Sequence, residues 1–240
     1  MKPSSLISAL SSLIFSVRCL SCQKPSLDDL NKFAICSECR RFLQTDVKIS
    51  FRGSLKIFAG SNYTPNMAKV ILAAKEENQI QARNFLAERL TKSLERAITE
   101  ISQNRNLQVS NVVIIPIPSR RAADRTRGFA HIELLITRLI FMNKSVNFQV
   151  LDCLSHAKKI SDQSSLNFNE RALNMKGAFA VNPILYFEIY PTINSNTVVF
   201  LLDDLVTTGA TVQAANLALM ALGARVDGVL ASCATSGFTH

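Results

Sequence analysis

Two neighbouring carboxylates, Asp203 and Asp204, stand at the end of an apolar run, Val198 to Leu202. Small and hydroxyl residues follow at Thr207, Thr208, Gly209, Ala210 and Thr211. Beyond them Val212, Ala215, Leu219 and Leu222 recur at helical spacing, and Gly223 closes the pattern. The acids therefore stand where a buried strand hands over to a helix. A helix start preceded by small residues offers open backbone N–H groups and the positive end of the helix dipole. Gly209 lets the backbone approach a ligand closely, and the threonine hydroxyls add donors. Together these make a cradle for a phosphate. The carboxylates do not suit a phosphate, but they suit vicinal hydroxyls. A phosphate at one end and a diol at the other describe a ribose 5-phosphate. The plainer reading of the same residues is a strand, an acidic turn and a capped helix.

A second constellation lies near the start of the chain. CLSC at Cys19 to Cys22 and CSEC at Cys36 to Cys39 are separated by thirteen residues. Two such knuckles supply four thiolates to one tetrahedral ion, and the spacing predicts zinc on Cys19, Cys22, Cys36 and Cys39. Redox-active pairs or buried free cysteines are the alternatives. With all four positions taken by protein, a metal there is structural and folds a segment too short to build a core alone.

A third is basic. The apolar strand pattern VVIIPI, Val112 to Ile117, runs into SRRAADRTRGF, which carries Arg120, Arg121, Arg125 and Arg127. If this strand is parallel to the one at Val198, both loops share the ligand-facing edge of one sheet. Arginine forks there can pair with pyrophosphate oxygens. A solvated surface loop is the competing reading.

The elements that position these groups are legible as patterns. Residues 62 to 102 read as helix, with Pro65 in its first turn, an apolar stripe at Met67, Val70, Ile71 and Ala74, and a second from Phe85 to Ile101 after a polar break at Glu76 to Gln79. Ile132, Leu135, Ile136 and Leu139 predict another helix. Phe148 to Leu151 and Arg225 to Cys233 predict strands, and residues 182 to 196 an irregular connection. Residues 155 to 177 are polar and weakly periodic, as an active-site cover or an ordinary surface loop would be; Lys158, Lys159 and Arg171 are its candidates for reaching a ligand. Cys153 and Cys233 read as core residues, and His131, His156 and His240 form no ligand spacing and receive no role.

The 240 residues carry a formal net charge of +9, which favours an anionic partner, whether phosphate ligand or nucleic acid. Around the cysteines Arg18, Lys24, Lys32, Arg40, Arg41, Lys48, Arg52 and Lys56 are interleaved with Phe33, Phe42, Phe51 and Phe58. A basic surface with aromatics suits single-stranded nucleic acid, and a small local core with solvated lysines explains the same residues. No apolar run is long enough to span a membrane. Leu6, Leu10, Leu13, Ile14 and Val17 fall at helical spacing, and Arg18 stands where a signal peptide would need a small residue, so an amphipathic helix and a cytoplasmic, reducing location are expected.

LLDDLVTTGAT resembles the 5-phosphoribosyl-1-pyrophosphate (PRPP) motif of type I phosphoribosyltransferases. The order of CLSC…CSEC, IPIPSRR…RTRGF, QSSLNFNERALNMKGAF and LLDDLVTTGAT resembles the ComF/GntX family over nearly the whole chain. The resemblance implies an α/β fold of the type I phosphoribosyltransferase kind, a mostly parallel sheet flanked by helices. A small N-terminal zinc module would occupy residues 1–58 and the phosphoribosyltransferase-like domain residues 59–240. It implies that Asp203 and Asp204 hold the ribose hydroxyls, that Thr207 to Thr211 surround the 5-phosphate, and that Mg2+ accompanies PRPP. It further implies a part in natural transformation, the handling of incoming single-stranded DNA beside DNA-uptake proteins. A working phosphoribosyltransferase acting on a nucleobase or amine, and a non-catalytic PRPP sensor, share the same motif. Two positions depart from the family. Arg127-Gly128-Phe129 is followed by Ala130-His131 where the family writes Asn-Gln, and Ala74-Lys75-Glu76 replaces a Leu-Lys-aromatic run.

Overall fold

The computed structural model describes residues 18–25, 33–119, 121–157 and 177–236, with the backbone alone at 121, 122 and 190. The first helix expected from Leu6 to Val17 and most of the segment 155–177 lie outside the described residues.

The centre is a six-stranded sheet with strands β1 (Lys48–Arg52), β2 (Leu55–Ala59), β3 (Asn111–Pro116), β4 (Asn147–Val150), β7 (Thr197–Val206) and β8 (Gly228–Ala234) in the order β1-β2-β8-β7-β3-β4. Every neighbouring pair is parallel except the β1–β2 hairpin. The near-continuous apolar runs of β3 and β7 follow from this, because a parallel strand is covered on both faces. Val112, Ile114, Val198, Phe200 and Leu202 join one core, and Val113, Ile115, Val199 and Leu201 the other.

The first core is covered by α2 (Pro65–Lys75), α3 (Ile80–Arg105) and α5 (His131–Met142). The helical stretch expected from 62 to 102, with its polar break, is two helices. Thr64 caps the first through its Oγ1, which accepts from the Met67 amide, and the polar Glu76–Gln79 break separates them, with Asn78 at a left-handed φ of 55°. The second core is covered by α7 (Ala210–Met220), whose Val212, Ala215 and Leu219 face inward, and by the short α6 (Pro183–Ile189). The latter lies in the stretch read as irregular. A separate antiparallel pair, β5 (Leu154–His156) and β6 (Phe179–Val181), pins both ends of the undescribed segment 158–176.

The cysteine-bearing segment enters through α1 (Ser37–Leu43) and packs Cys19, Phe33, Ile35, Cys39 and Leu43 into the first core. Phe33 meets the Phe85 ring edge-on at 5.7 Å. Arg89, almost fully buried in α3, donates to the carbonyls of Gly60 and Thr45, and Ser61 Oγ donates to Leu43 O. The boundary expected between residues 58 and 59 falls inside β2, which pairs with β8 far along the chain.

Candidate functional site

In open α/β sheets ligands bind outside the carboxyl ends of the strands, where successive crossovers leave in opposite directions. Here that point lies between β3 and β7. From β3 the chain passes over the first core through α5 to β4, and from β7 it passes over the second core through α7 to β8. The two strands are adjacent, parallel and in register, with Pro116 beside Leu202 and the Ile117 amide bonded to Leu202 O. The arginine segment and the acidic motif thus open from one crevice, as the sequence predicts.

The strand β7 runs to Val206 rather than ending at Leu202, so both acids lie within it. Successive side chains of a strand point to opposite faces, and the two carboxylates are thereby separated. Asp203 is partly exposed on the face that leads into α7, and its Oδ1 accepts from the Asp204 amide at 2.9 Å. Asp204 is buried on the other face, its Oδ2 3.5 Å from Lys75 Nζ at the end of α2 and 3.4 Å from His131 Nε2 at the start of α5. Burial and the neighbouring Asp204 charge push the Asp203 carboxyl well above the usual carboxylate range. Burial also works against ionised Asp204, but His131 and Lys75 outweigh it and hold its carboxyl below that range.

The loop after β7 presents exposed Thr207 and Thr208, then buried Gly209 at φ 79° as the first residue of α7's cap. As a glycine it brings no side chain to cap the first-turn N–H groups of the helix. Ala210 follows directly, its amide 3.4 Å from Thr208 Oγ1.

The segment after β3 is helical, α4 (Arg121–Arg127), where sequence reading expects a loop. Arg120 lies outside the described residues, and for Arg121 only the backbone position is described. Arg125 is exposed. Arg127 is turned inward, donating from Nε to Ala123 O at 3.0 Å and lying 3.5 Å from Asp124 Oδ1 and 3.8 Å from Glu76 Oε2.

Two groups that spacing did not single out belong to this edge. His131, fully buried, sits beside Asp204; the Ala-His departure after Arg127-Gly128-Phe129 is the signal that marks it. His156 Nε2 is 2.9 Å from Pro118 O, tying β5 to the end of β3. Cys153 and Cys233 are buried as expected, although Cys153 precedes β5 rather than lying in a strand, and burial pushes its thiol up to about 11.

In the N-terminal segment the Sγ atoms of Cys19, Cys22, Cys36 and Cys39 all lie within 4.8 Å of one another. A tetrahedral ion with Zn–S bonds of about 2.3 Å needs sulfurs about 3.8 Å apart; Cys22 and Cys36 stand at 4.0 Å. Burial opposes ionisation of Cys19, but the backbone N–H groups of Cys22, Cys36 and Ser21 bring its thiol down to about 7. The Cys39 thiol is pushed up to about 12 by burial and by its sulfur neighbours. Four thiolates cannot share so small a space without a cation, and the cluster can hold a metal ion such as zinc.

Among the described residues no helix is long and apolar enough to cross a membrane. No protein-family model matches the chain, and no curated protein matches it.

Proposed function

We propose that the chain is a PRPP-binding protein of the ComF type, built on a type I phosphoribosyltransferase-like fold with a structural zinc module. The observation that carries this reading is the shared carboxyl edge of the adjacent strands β3 and β7. A partly exposed carboxylate, a hydroxyl-bearing loop entering a helix whose N-cap is a glycine, and an arginine-bearing helix leave it together. Asp203 takes the ribose hydroxyls and Thr207 to Thr211 the 5-phosphate, with Arg120, Arg121, Arg125 and Arg127 beside the pyrophosphate and Mg2+ arriving with PRPP. In this reading Asp204 acts on the ribose through the strand it shares with Asp203, held by Lys75 and His131. The four cysteines hold zinc with no position left for a substrate.

The place of such a protein in handling single-stranded DNA, in the cytoplasm beside DNA-uptake proteins, draws on a second observation. Phe42 and Phe51 are largely exposed, at 63% and 61%; Arg41 precedes Phe42 in the chain, and Lys56 Nζ, paired with Glu100, lies 5.5 Å from the Phe51 ring centre. Exposed rings beside lysines are a stacking platform for bases.

Calorimetric titration of the metal-loaded chain with PRPP, with and without Mg2+, tests the first part. Saturable binding that needs Mg2+ supports it, and no heat or thermal stabilisation at millimolar PRPP overturns it. Pyrophosphate release with a panel of nucleobases then separates a transferase from a sensor. Binding of single-stranded oligonucleotides that falls steeply with salt and with Phe51→Ala tests the second part.

A further inference from the structure

Arg52 ends β1, the hairpin strand at the edge of the sheet, and by charge alone it is one more surface cation. Its position is different. It is buried to 7% exposure, and every described contact of its guanidinium is with an oxygen of the backbone or a hydroxyl. Nε donates to Thr207 O at 2.9 Å and one terminal nitrogen to Thr235 O at 2.9 Å. The other donates to Phe51 O at 3.0 Å and Ser50 Oγ at 3.2 Å. Thr235 Oγ1 donates to the same Thr207 carbonyl. The aliphatic stem lies directly under Gly209: a Cβ built there would overlap Arg52 Cγ and come within 2.6 Å of Arg52 Cβ. So the left-handed glycine of the loop does more than bend the chain. It admits the arginine stem beneath it. Among the described residues no carboxylate pairs with this buried charge.

The geometry points to Arg52 as a positioning residue of the 207–211 loop, fixing the Thr207 carbonyl and Gly209 so that the amides entering α7 face an anion, and giving that anion a buried positive charge behind the loop. This rests on the reading of the loop as a phosphate cradle. A guanidinium bound only to carbonyls and a hydroxyl keeps its full charge in a region where water screens little. A phosphate seated in the loop supplies the missing counter-charge. The cooperating parts come from three distant places, β1, the end of β8 and the β7–α7 turn, which is why the pattern of the motif alone does not disclose it.

The test uses the 240-residue chain with Arg52→Met and Arg52→Lys. Two readouts are taken: backbone amide exchange across residues 207–211 without ligand, and calorimetric titration with PRPP. Melting temperature and bound metal are recorded for each variant. The expected result for Arg52→Met is exchange faster by tenfold or more, confined to 207–211 and the start of α7, and PRPP affinity lower by about tenfold to a hundredfold. Arg52→Lys keeps the charge without the fork, so it recovers part of the affinity while the loop still exchanges fast. Loop exchange equal to the parent in Arg52→Met, or undiminished PRPP affinity, overturns the inference. If Arg52→Met does not fold, Arg52→Lys decides, and unchanged loop exchange in it overturns the inference. A parent that binds no PRPP defeats the PRPP reading, and the exchange measurement then still decides whether Arg52 holds the loop.

Discussion

The two turns that leave the crevice are built in opposite ways. After β7 the groups that could meet a ligand are held open: Asp203 is partly exposed, Thr207 and Thr208 face solvent, and the cap of α7 has no side chain to fill it. After β3 the described cation nearest the interior is already engaged, Arg127 with Asp124, Glu76 and the Ala123 carbonyl. The same contrast runs across β7 itself. Asp203 has its own neighbour's amide for support, whereas Asp204 is enclosed by Lys75 and His131. One side is preorganised for an anion and a diol, and the other must give up internal pairs before it can contribute. Preorganised groups cost nothing to arrange when a ligand arrives, so under the proposed function the β7 side is expected to carry most of the affinity.

Metal removal should break this comparison most severely. The cysteine segment packs into the first core through Phe33, Ile35 and Leu43, and the chain passes from it directly into β1 and Arg52. Structural zinc is worth on the order of 10 kcal/mol to a segment that cannot fold alone. A strong chelator is therefore expected to lower the melting temperature sharply and to accelerate amide exchange at 207–211 more than at 121–127. Equal acceleration in both turns would show that the module supports the whole edge and not the β7 loop in particular.

The two acids separate the two sides next. Asp203 has a folded pKa above its unfolded value. Its contribution to stability is complete below the unfolded value, near 3.9, and is lost as pH rises through the folded value. Once ionised, at a pH above the folded value, the desolvated carboxylate beside Asp204 costs stability. Asp203→Asn should then raise the melting temperature at pH 7 while lowering PRPP affinity by about a hundredfold, the loss of a charged hydrogen-bond partner to ribose. Asp204 has the opposite sign: its folded pKa lies below the unfolded one, so its contribution is present above about pH 4 and fades as pH falls through the folded value. Asp204→Asn should cost about 1–3 kcal/mol, below a fully buried pair because Lys75 is partly exposed. Urea unfolding of both variants at pH 7 checks the signs, and shifts in the same direction would remove the distinction.

How much of this was readable in the sequence follows the range of the contacts. The run from Val198, the left-handed Gly209 and the helix face at Val212, Ala215 and Leu219 are local patterns, and they appear as expected. The cysteine spacing likewise brings its sulfurs together. The division of labour between Asp203 and Asp204 was within reach, because strand alternation forces it; ending the strand at Leu202 hid it. His131 and Arg52 were not within reach of spacing. Their partners lie at Asp204 and Thr207, brought close only by the packing of α5 and the pairing of β1 onto the sheet. For the same reason four arginines close together gave no indication that Arg127 turns inward while Arg125 does not.

The smallest effect is the most direct probe of the β3 side. Glu76 is half exposed and sits 3.8 Å from Arg127, so the pair contributes at most about 1 kcal/mol. Glu76→Gln removes that competitor without touching Asp124 or the Ala123 carbonyl. If Arg127 must leave internal partners to reach the pyrophosphate, the substitution lowers that cost and PRPP affinity rises by about two- to fivefold, with stability unchanged within about 0.5 kcal/mol. Arg125→Ala, at an exposed position, should lower affinity by a similar factor and flatten its dependence on salt. An unchanged affinity in Glu76→Gln would mean that Arg127 stays with its internal partners in the bound state. The β3 turn would then serve the ligand through Arg125 and the residues before it, and the contrast between the two turns would be sharper still.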